Sequence, residues 1–422
     1  MLVEEFDVVV TGGGPAGSTV GALVAMRGHR VLVLEKEVFP RFQIGESLLP
    51  ATVHGVCRAL GVTDELAAAE FRVRSGGTYR WGADPEPWSY SFADSPRLTG
   101  ATSFAYQAER RRFDEILLRN AQRNGAEVRE GCAVVGVTEA GDRVTGLRYT
   151  DADGAEHEVA ARWVVDASGA GGKLSTAVGG VRDHADSPGG LAVSGYFGRC
   201  RQPAPYGGNT LIVAFDGGWF WYTPVTGGLT SVGAVVRGEL ADQVRDDPEK
   251  AFAALIAGCP PIADLLAEAA RVTAGSFGRL RLTANDTYAH TTFWRPGMVL
   301  VGDAACFVDQ VLPSGVHLAT HGALLAARAI NSVLAGAADE KAALTAFEAA
   351  YRREFAVLHD LTASFHEKDA DQKTVFRYAT HITTGEHSAA ESFATLAGGV
   401  SSGELPGKHF DSDEHCDIEE RK

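Results

Sequence analysis

The sequence has few of the features that mark nucleic-acid-binding, metal-binding or membrane proteins. Its net charge is −15, from 39 Lys and Arg residues against 54 Asp and Glu residues, which argues against a protein that follows the phosphates of a nucleic acid. The six cysteines are scattered without a C-x-x-C pair, so their spacing does not support a metal site. No apolar run approaches the roughly 20 residues that a membrane-spanning helix needs.

The sequence pattern at the N-terminus also does not predict a secretory signal peptide. The first strand is predicted from Phe6 onward, which leaves no room for a signal peptide, and we therefore expect a cytoplasmic protein. The chain has 422 residues, of which 45% are hydrophobic and 22% charged, an ordinary globular composition. A chain of this length can bury a large core and is expected to form about two or three domains.

The first fifty residues show the pattern of a dinucleotide-binding βαβ unit. An apolar run at 6–10 predicts a buried strand, a helix is expected over 16–27, and 31–34 predicts a second strand. Between the first strand and the helix lies a turn with G-x-G-x-x-G spacing, which lets a diphosphate approach the backbone at the helix N-terminus. The residues of this turn that we expect to contact the cofactor are Gly12, Gly14, Ala16 and Gly17.

Glu35 ends the second predicted strand and completes this pattern. It stands eighteen residues after Gly17, where a carboxylate accepts hydrogen bonds from an adenosine ribose. The alternative is an ordinary βαβ turn without a nucleotide. The pattern alone also does not distinguish FAD from NAD.

Two further motifs favour FAD. Asp303 follows Gly302 at the end of an apolar strand, where its carboxylate can accept from a ribityl hydroxyl; a helix N-cap is the alternative role. Ser314, Gly315 and Val316 open a long alanine-rich helix. The N–H groups and the dipole at this end favour negative charge on a reduced flavin or a nearby halide, although the same residues also suit a simple turn and cap.

The whole pattern predicts an α/β protein. We expect a discontinuous Rossmann-like FAD-binding domain, an inserted antiparallel β-sheet domain on the substrate side and a helical C-terminal region. The expected boundaries are 1–75, 106–180 and 280–335 for the FAD-binding domain, 76–105 and 181–279 for the substrate-side sheet, 336–410 for the C-terminal helical region and 411–422 for an acidic tail.

Four more specific motifs are spread along the chain. They are F-P-R-F-Q-I-G-E-S-L-L-P at 39–50, W-F-W-Y-T-P at 219–224, G-D-A-A-C-F-V-D at 302–309 and S-G-V-H-L-A at 314–319. With these motifs the chain resembles FAD-dependent oxygenases of the para-hydroxybenzoate hydroxylase type. More narrowly, it resembles flavin-dependent halogenases that act on phenols, pyrroles or carrier-tethered aromatics. The resemblance extends from the glycine turn to the residues at 398–404.

The resemblance implies an FADH2- and O2-dependent halogenation of an electron-rich, phenol-like ring in natural-product biosynthesis, for example of an antibiotic. In this family a flavin C4a-hydroperoxide is attacked by a halide ion, and the hypohalous acid that results travels through the protein to the ring. A separate flavin reductase would supply the reduced FAD. The ring could be a free molecule or one tethered to an acyl or peptidyl carrier protein.

The resemblance also implies roles for individual residues. Glu35, Arg41, Arg110 and Asp303 would bind FAD together with the glycine turn, and the backbone N–H groups of Ser314 and Gly315 would bind the halide. Trp219 and Trp221 match two positions of the family's W-x-W-x-I-P signature, with Thr223 in place of its isoleucine, and would keep the ring away from the flavin. Glu46 and Ser47 belong to the loop motif shared with halogenases. For the tryptophans, a plain core strand is the alternative.

One departure from the family pattern concerns the residue that handles the hypohalous acid. The family has a lysine just before a Gly-Gly-Thr strand, whereas this chain has Arg74, and no lysine occurs between Lys36 and Lys173. A guanidinium keeps the charge and five donors but has no free lone pair, so a haloamine is not expected. Activation of hypohalous acid by hydrogen bonds stays open, as does a surface or ion-pairing role for Arg74.

Two other functions therefore remain as alternatives. A flavin-dependent aromatic hydroxylase or oxidase on a halogenase-like scaffold would account for the missing lysine. A non-catalytic flavoprotein that binds an aromatic ligand or a carrier protein is the third hypothesis. The absence of a second glycine-rich unit for NADPH does not separate them, because single-domain hydroxylases lack one as well.

Overall fold

The computed structural model describes residues 3–82, 86–184, 189–203, 207–383 and 387–401. The acidic tail expected at 411–422 lies outside these residues. The strands, in chain order, are β1 (Glu4–Thr11), β2 (Val31–Glu35), β3 (Arg72–Arg74), β4 (Gly76–Arg80), β5 (Trp88–Ser91), β6 (Ala105–Gln107), β7 (Glu127–Glu130), β8 (Ala133–Ala140), β9 (Arg143–Thr150), β10 (Glu156–Asp166), β11 (Arg182–His184), β12 (Leu191–Gly198), β13 (Thr210–Phe215), β14 (Gly218–Pro224), β15 (Leu229–Val236), β16 (Ala270–Arg271), β17 (Arg281–Ala284), β18 (Tyr288–His290), β19 (Trp294–Arg295), β20 (Met298–Leu300) and β21 (Cys306–Phe307).

The helices fall into two groups, one interleaved with the strands and one at the C-terminal end. In chain order they are α1 (Pro15–Ala25), α2 (Cys57–Ala59), which continues a π-helical turn (Ala51–Val56), α3 (Thr63–Ala68), α4 (Arg110–Arg123), α5 (Gly238–Asp246), α6 (Pro248–Ala257), α7 (Pro260–Leu265), α8 (Gly315–Leu334), α9 (Glu340–Ala363), α10 (Gln372–Ile382) and α11 (Ala389–Ala397).

A mainly parallel sheet forms the first layer and confirms the predicted α/β fold. Its strand order is β19-β20-β10-β1-β2-β7, and β1 pairs in parallel with both β10 and β2. Val8, Val9 and Val10 are completely buried, as expected for a strand covered on both faces. The parallel arrangement brings the carboxyl ends of β1, β2, β10 and β20 to one edge, where ligands bind in open α/β sheets.

A second, largely antiparallel sheet faces this edge. Its order is β16-β12-β15-β14-β13-β4-β5, and β17 joins it through β12, so this sheet continues past residue 279. The side chains of β14 alternate between two hydrophobic clusters: Trp219 and Trp221 belong to the main core, whereas Phe220 and Tyr222 belong to a cluster under α5–α7. Strand geometry requires this alternation, and it decides which aromatic residues face the cofactor side. The division of the chain into separate domains stays a prediction.

Helix α8 connects the two layers with the C-terminal helices. It packs against α1 on one side and against α9 on the other. The closest approach involves Gly322, where a Cβ atom would lie 2.2 Å from Cζ of Tyr351. The Tyr351 hydroxyl in turn accepts the backbone N–H of Gly302 at 3.1 Å, so the packing of α8 on α9 also supports the turn that carries Asp303.

We expect Gly322→Ala to destabilise the protein. The added methyl group must displace a fully buried tyrosine, and overpacking of this kind costs about 1–3 kcal/mol in the free energy of unfolding. Urea denaturation followed by circular dichroism measures the change. Gly198→Ala is the matched control, because a Cβ there meets no atom within 4 Å; equal losses in both variants would contradict the prediction.

Candidate functional site

A cavity of about 590 Å³ lies between the carboxyl edge of the parallel sheet, one face of the antiparallel sheet and the N-terminus of α8. It brings together residues that are far apart in the sequence. All the predicted site residues except Gly17 line it: Gly12, Gly14, Ala16, Glu35, Arg41, Glu46, Ser47, Arg74, Arg110, Trp219, Trp221, Gly302, Asp303, Ser314, Gly315 and Val316.

The glycine turn between β1 and α1 is packed so closely against its neighbours that two of its positions exclude a side chain. Gly12 has a φ of 98°, a left-handed value, and a Cβ there would lie 2.4 Å from the carbonyl oxygen of Ala167. A Cβ at Gly17 would lie 1.8 Å from the carbonyl oxygen of Gly12. Gly17 therefore allows α1 to pack closely on the turn, and it acts on the site through this packing.

Glu35 lies at the end of β2 with its carboxylate fixed by the backbone. Its Oε2 accepts the N–H of Gly13 at 2.7 Å, and its Oε1 accepts the N–H of Glu37 at 2.8 Å. The side chain is buried except where it borders the cavity. Each oxygen keeps a free lone pair, so the carboxylate can still accept from ribose hydroxyls.

Two arginines share one buried carboxylate beside the glycine turn. Asp114 accepts from Nη1 of Arg41 at 2.8 Å and from Nε and Nη2 of Arg110 at 2.7 and 3.0 Å. Asp114 alone does not neutralise both guanidinium groups, and because Glu46 and Asp303 also act on the charge of Arg110, the positive charge left over is that of Arg41. Because Nη2 of Arg41 lies 3.1 Å from the position that a Cβ of Gly14 would take, this charge is next to the turn. It adds to the positive end of α1 and suits a diphosphate.

Asp303 lies on the turn after β20. Burial raises the pKa of its carboxyl group to about 6, although Arg110 and Arg182 favour the ionised form. Gly302 before it has a φ of 63°. The remaining exposed surface of Asp303 faces the cavity, so a ligand with hydroxyl groups there would provide the hydrogen bonds that the carboxylate has lost from water.

The N-terminus of α8 borders the cavity at Gly315. A Cβ at Gly315 would meet no atom within 4 Å, so the space beside this residue is open. The N–H of Ser314 donates to the carbonyl of Leu312 at 2.8 Å. Of the two N–H groups expected to bind a halide, this leaves the one on Gly315, the first residue of the helix.

Trp219 and Trp221 lie side by side on the cavity face of β14. Their ring centroids are 5.9 Å apart, and both side chains are buried. The ring of Trp221 covers Gly233, where a Cβ would lie 2.2 Å from its Cζ2 atom, and its Nε1 donates to Oγ of Ser231 at 3.3 Å. These contacts hold the indole in one orientation, as a wall between two parts of the cavity requires.

Glu46 and Ser47 approach the same sheet from the loop after β2. The carboxylate of Glu46 accepts the hydroxyl of Tyr196, and burial beside this carboxylate raises the pKa of Tyr196. The hydroxyl of Ser47 lies 2.6 Å from Oε1 of Gln107 and 2.8 Å from Oγ1 of Thr210. Oγ1 of Thr210 lies a further 3.1 Å from that of Thr223.

The position of Thr223 connects it to this group. Thr223 stands where the family signature has isoleucine, and its hydroxyl extends the hydroxyl pair of Ser47 and Thr210 onto the next strand. All three residues line the cavity. They give the cavity a polar patch on the same sheet face as the apolar rings of Trp219 and Trp221.

Arg74 is the most deeply buried charged residue that lines the cavity, with 1% of its surface exposed. Its Nε donates to the carbonyl of Gly76 at 2.7 Å, Nη1 to the carbonyl of Leu48 at 3.1 Å and Nη2 to the hydroxyl of Tyr90 at 3.0 Å. Among the described residues no carboxylate pairs with it, and its other close neighbour is the ring of Phe92, 5.2 Å away. The surface or ion-pairing alternative is therefore wrong, because the guanidinium is buried without a counterion.

The family model of tryptophan halogenases matches residues 7–99 and 93–415. The chain belongs to the flavin-dependent halogenases. A tryptophan 2-halogenase from Chondromyces crocatus is 32% identical over 411 residues, which cover 94% of this chain and 76% of the relative. A flavin-dependent halogenase from Penicillium aethiopicum is 31% identical over 80% of this chain and 67% of its own length.

Two solved structures confirm the fold of the halogenase. The myxobacterial chondrochloren halogenase CndH, described as a new variant of FAD-dependent halogenases, is 45% identical, with a TM-score of 0.82 over 93% of this chain and 97% of that one. The flavin-dependent brominase Bmp2 is 27% identical, with a TM-score of 0.80 over 94% of both chains. No helix in the described part of the chain is long and apolar enough to cross a membrane. The cytoplasmic location stays a prediction.

FAD is the cofactor of flavin-dependent halogenases, and the residues of this cavity fit it. The glycine turn lines the cavity with its backbone, as binding of a diphosphate requires, and Arg41 lies beside it. Glu35 could bind the ribose, Asp303 the ribityl chain, and the open N-terminus of α8 an electron-rich flavin edge.

Several residues of the halogenase site were not found by sequence reasoning. Tyr79, Tyr90, Gln107, Tyr196 and Thr210 all contact predicted site residues or line the cavity. The sequence contained one weak indication that Tyr79 belongs to the site, because Tyr79 lies in the same short segment as Arg74 and Gly77. Which of these side chains face the cavity depends on strand pairing, and no pattern in the sequence identifies the paired strands.

We expect Asp303→Asn to stabilise the cofactor-free halogenase at pH 8. A carboxyl group with a pKa near 6 in the folded state and near 4 in the unfolded state destabilises the fold by up to about 3 kcal/mol above pH 6, and this cost disappears as the pH falls toward 4. Thermal unfolding at pH 8 and pH 5 measures the difference. Asp153→Asn, on an exposed turn, is the control; a gain that does not shrink at pH 5 would disprove the assigned cause.

Proposed function

We propose that this halogenase attaches a halogen to an electron-rich, phenol-like ring, using hypohalous acid that Arg74 holds and activates. A separate flavin reductase would reduce the bound FAD. Together with oxygen, the reduced FAD would provide the oxidising power that converts halide to hypohalous acid. The observation that carries the proposal is the buried guanidinium of Arg74 at the cavity wall, with no carboxylate to neutralise it.

The N-terminus of α8 supports halide binding at the flavin end. The N–H of Gly315 and the positive end of a 20-residue helix favour an anion in the open space beside Gly315. Trp219 and Trp221 separate this end from the rest of the cavity. A ring beyond them would not reach the flavin, which favours halogenation by a small diffusing oxidant over direct oxygen transfer.

Arg74 can do one part of the work that the family assigns to lysine. Three of its five N–H groups are already used, so two remain for a ligand. Donation to the oxygen of hypohalous acid draws electrons from the oxygen–halogen bond and makes the halogen more electrophilic. The guanidinium gives no proton and forms no haloamine, so its role is to bind and polarise.

The same guanidinium favours a phenol over an indole as substrate. A phenol oxygen can accept one of the two remaining N–H groups of Arg74, as the hydroxyl of Tyr90 accepts from Nη2, and this bond would hold the ring beside the activated halogen. An indole has no oxygen that could accept in this way. The relatives named as tryptophan halogenases therefore share the chemistry, whereas a phenol-like substrate, free or tethered to a carrier protein, suits this cavity.

The test supplies chemically reduced FAD, oxygen and chloride, bromide or iodide with a panel of free and carrier-tethered phenols, and product masses are measured. We expect halogenated phenols that disappear when halide is omitted. Tryptophan in the same panel tests the substrate class. Hydroxylated product without halogenated product would refute the proposal and favour the hydroxylase alternative.

Substitutions at Arg74 test its role separately. We expect Arg74→Gln to lower substrate halogenation by about 10- to 100-fold, the range set by one hydrogen bond to a charged group, and Arg74→Lys to retain it. Halogenation of a 1,3-diketone trap in bulk solution should continue in all forms, because oxidant formation does not need Arg74. If the unchanged protein, Arg74→Lys and Arg74→Gln all halogenate the substrate equally, the residue at position 74 does not deliver the halogen.

A further inference from the structure

The side chain that touches Arg74 most directly is a phenol belonging to the protein itself. Tyr90 lies on β5, and its hydroxyl accepts from Nη2 of Arg74 at 3.0 Å. Burial raises the pKa of Tyr90, so its ring is a neutral phenol at ordinary pH. A neutral phenol still directs electrophiles to the carbons ortho to its hydroxyl.

Because a glycine without a side chain lies beside it, one of these ortho carbons is close to the cavity wall. Gly77 on β4 is the cross-strand partner of Tyr90, and it lines the cavity. A Cβ at Gly77 would lie 2.6 Å from Cε1 of Tyr90, one of the two carbons ortho to the hydroxyl. This carbon of Tyr90 therefore lies directly over Gly77, a residue that lines the cavity containing Arg74.

The cavity contains few groups that would consume hypohalous acid first. Thiols and thioethers are the side chains most easily oxidised, and none of the described lining residues is a cysteine or a methionine. The competing groups are electron-rich aromatic rings: Tyr79, Trp219, Trp221 and Tyr288 line the cavity, whereas Tyr90 borders it through Gly77. Tyr79 stacks on Trp88 with centroids 4.6 Å apart and donates its hydroxyl to the carbonyl of Val311 at 3.4 Å, so it makes no hydrogen bond to Arg74 among the described contacts.

We propose that Tyr90 is a self-halogenation site of this enzyme, used when no substrate ring is present. This inference rests on the proposed function, because it requires hypohalous acid at Arg74. In the step, a carbon–halogen bond forms at an ortho carbon of Tyr90 and the oxygen–halogen bond breaks. The displaced ring proton and the hydroxide leave as water. Tyr90 is favoured over the other rings because the group that holds the oxidant is hydrogen-bonded to it, which gives a high effective concentration.

The experiment uses the full chain with reduced FAD, oxygen and bromide, and no organic substrate, followed by trypsin digestion and mass spectrometry. Tyr79 and Tyr90 fall in separate peptides, 75–80 and 81–97, and Trp219 and Trp221 share the peptide 202–237. We expect a bromine isotope doublet in 81–97, with fragmentation assigning it to Tyr90. Hypobromous acid added to enzyme without FAD is the comparison, and there we expect bromination to follow surface exposure instead.

Two variants make the assignment specific. Tyr90→Phe should remove the doublet from 81–97; its persistence would place the bromine on Trp81 or Trp88 and overturn the proposal. Arg74→Gln should lower the ratio of Tyr90 bromination to bromination of a 1,3-diketone trap, measured in the same reaction, several-fold. An unchanged ratio in Arg74→Gln would show that Arg74 does not direct the oxidant to Tyr90.

The trap also separates this inference from the function on which it rests. A brominated trap without bromine on Tyr90 overturns the self-halogenation site alone. Bromination found mainly on Tyr79, Trp219 or Trp221 has the same consequence. If neither the trap nor the protein is brominated, the proposed function fails and this inference fails with it.

Discussion

The parallel pairing of β1 with β10 and β2 is the constraint on which the rest of the structure depends. It places the carboxyl ends of strands that are far apart in the sequence at one edge of the sheet. Because β20 joins the same sheet next to β10, the turn with Asp303 lies beside the glycine turn. The helix that follows, α8, then begins at the edge of the cavity. Cofactor and halide chemistry are thus brought together by one buried sheet.

The antiparallel sheet provides the other wall, and its register decides the chemistry of that wall. Cross-strand pairing puts Thr223 next to Thr210. It also puts Gly77 between Thr210 and Tyr90. Polar side chains and a glycine without a side chain thus form a row across the strands. Trp219 and Trp221 stand on the same face. The polar row and the two indoles therefore line the same cavity side by side.

Arg74 connects these two walls with an unusual charge balance. A buried cation normally requires a paired carboxylate, since the loss of hydration is costly. Here two carbonyls, one phenol and one ring surround it. Each stabilises the guanidinium without neutralising it, so part of the cost of burial remains until an anion or a polar oxidant binds. The arrangement therefore favours ligand binding at the expense of stability.

By itself, the sequence determined the βαβ unit, the FAD-binding pattern and the family, because these depend on local periodicity and on short motifs such as Gly12–Gly17 and the residues at 302–309. It also located Arg74 as the departure from the family. Tertiary structure alone decided that Arg74 is buried without a counterion, that Tyr90 contacts it, and that the N–H of Ser314 is already used by Leu312. The reason is physical: burial, charge balance and hydrogen-bond partners arise from contacts between segments distant in the chain, and these depend on strand register. The local sequence pattern does not specify that register.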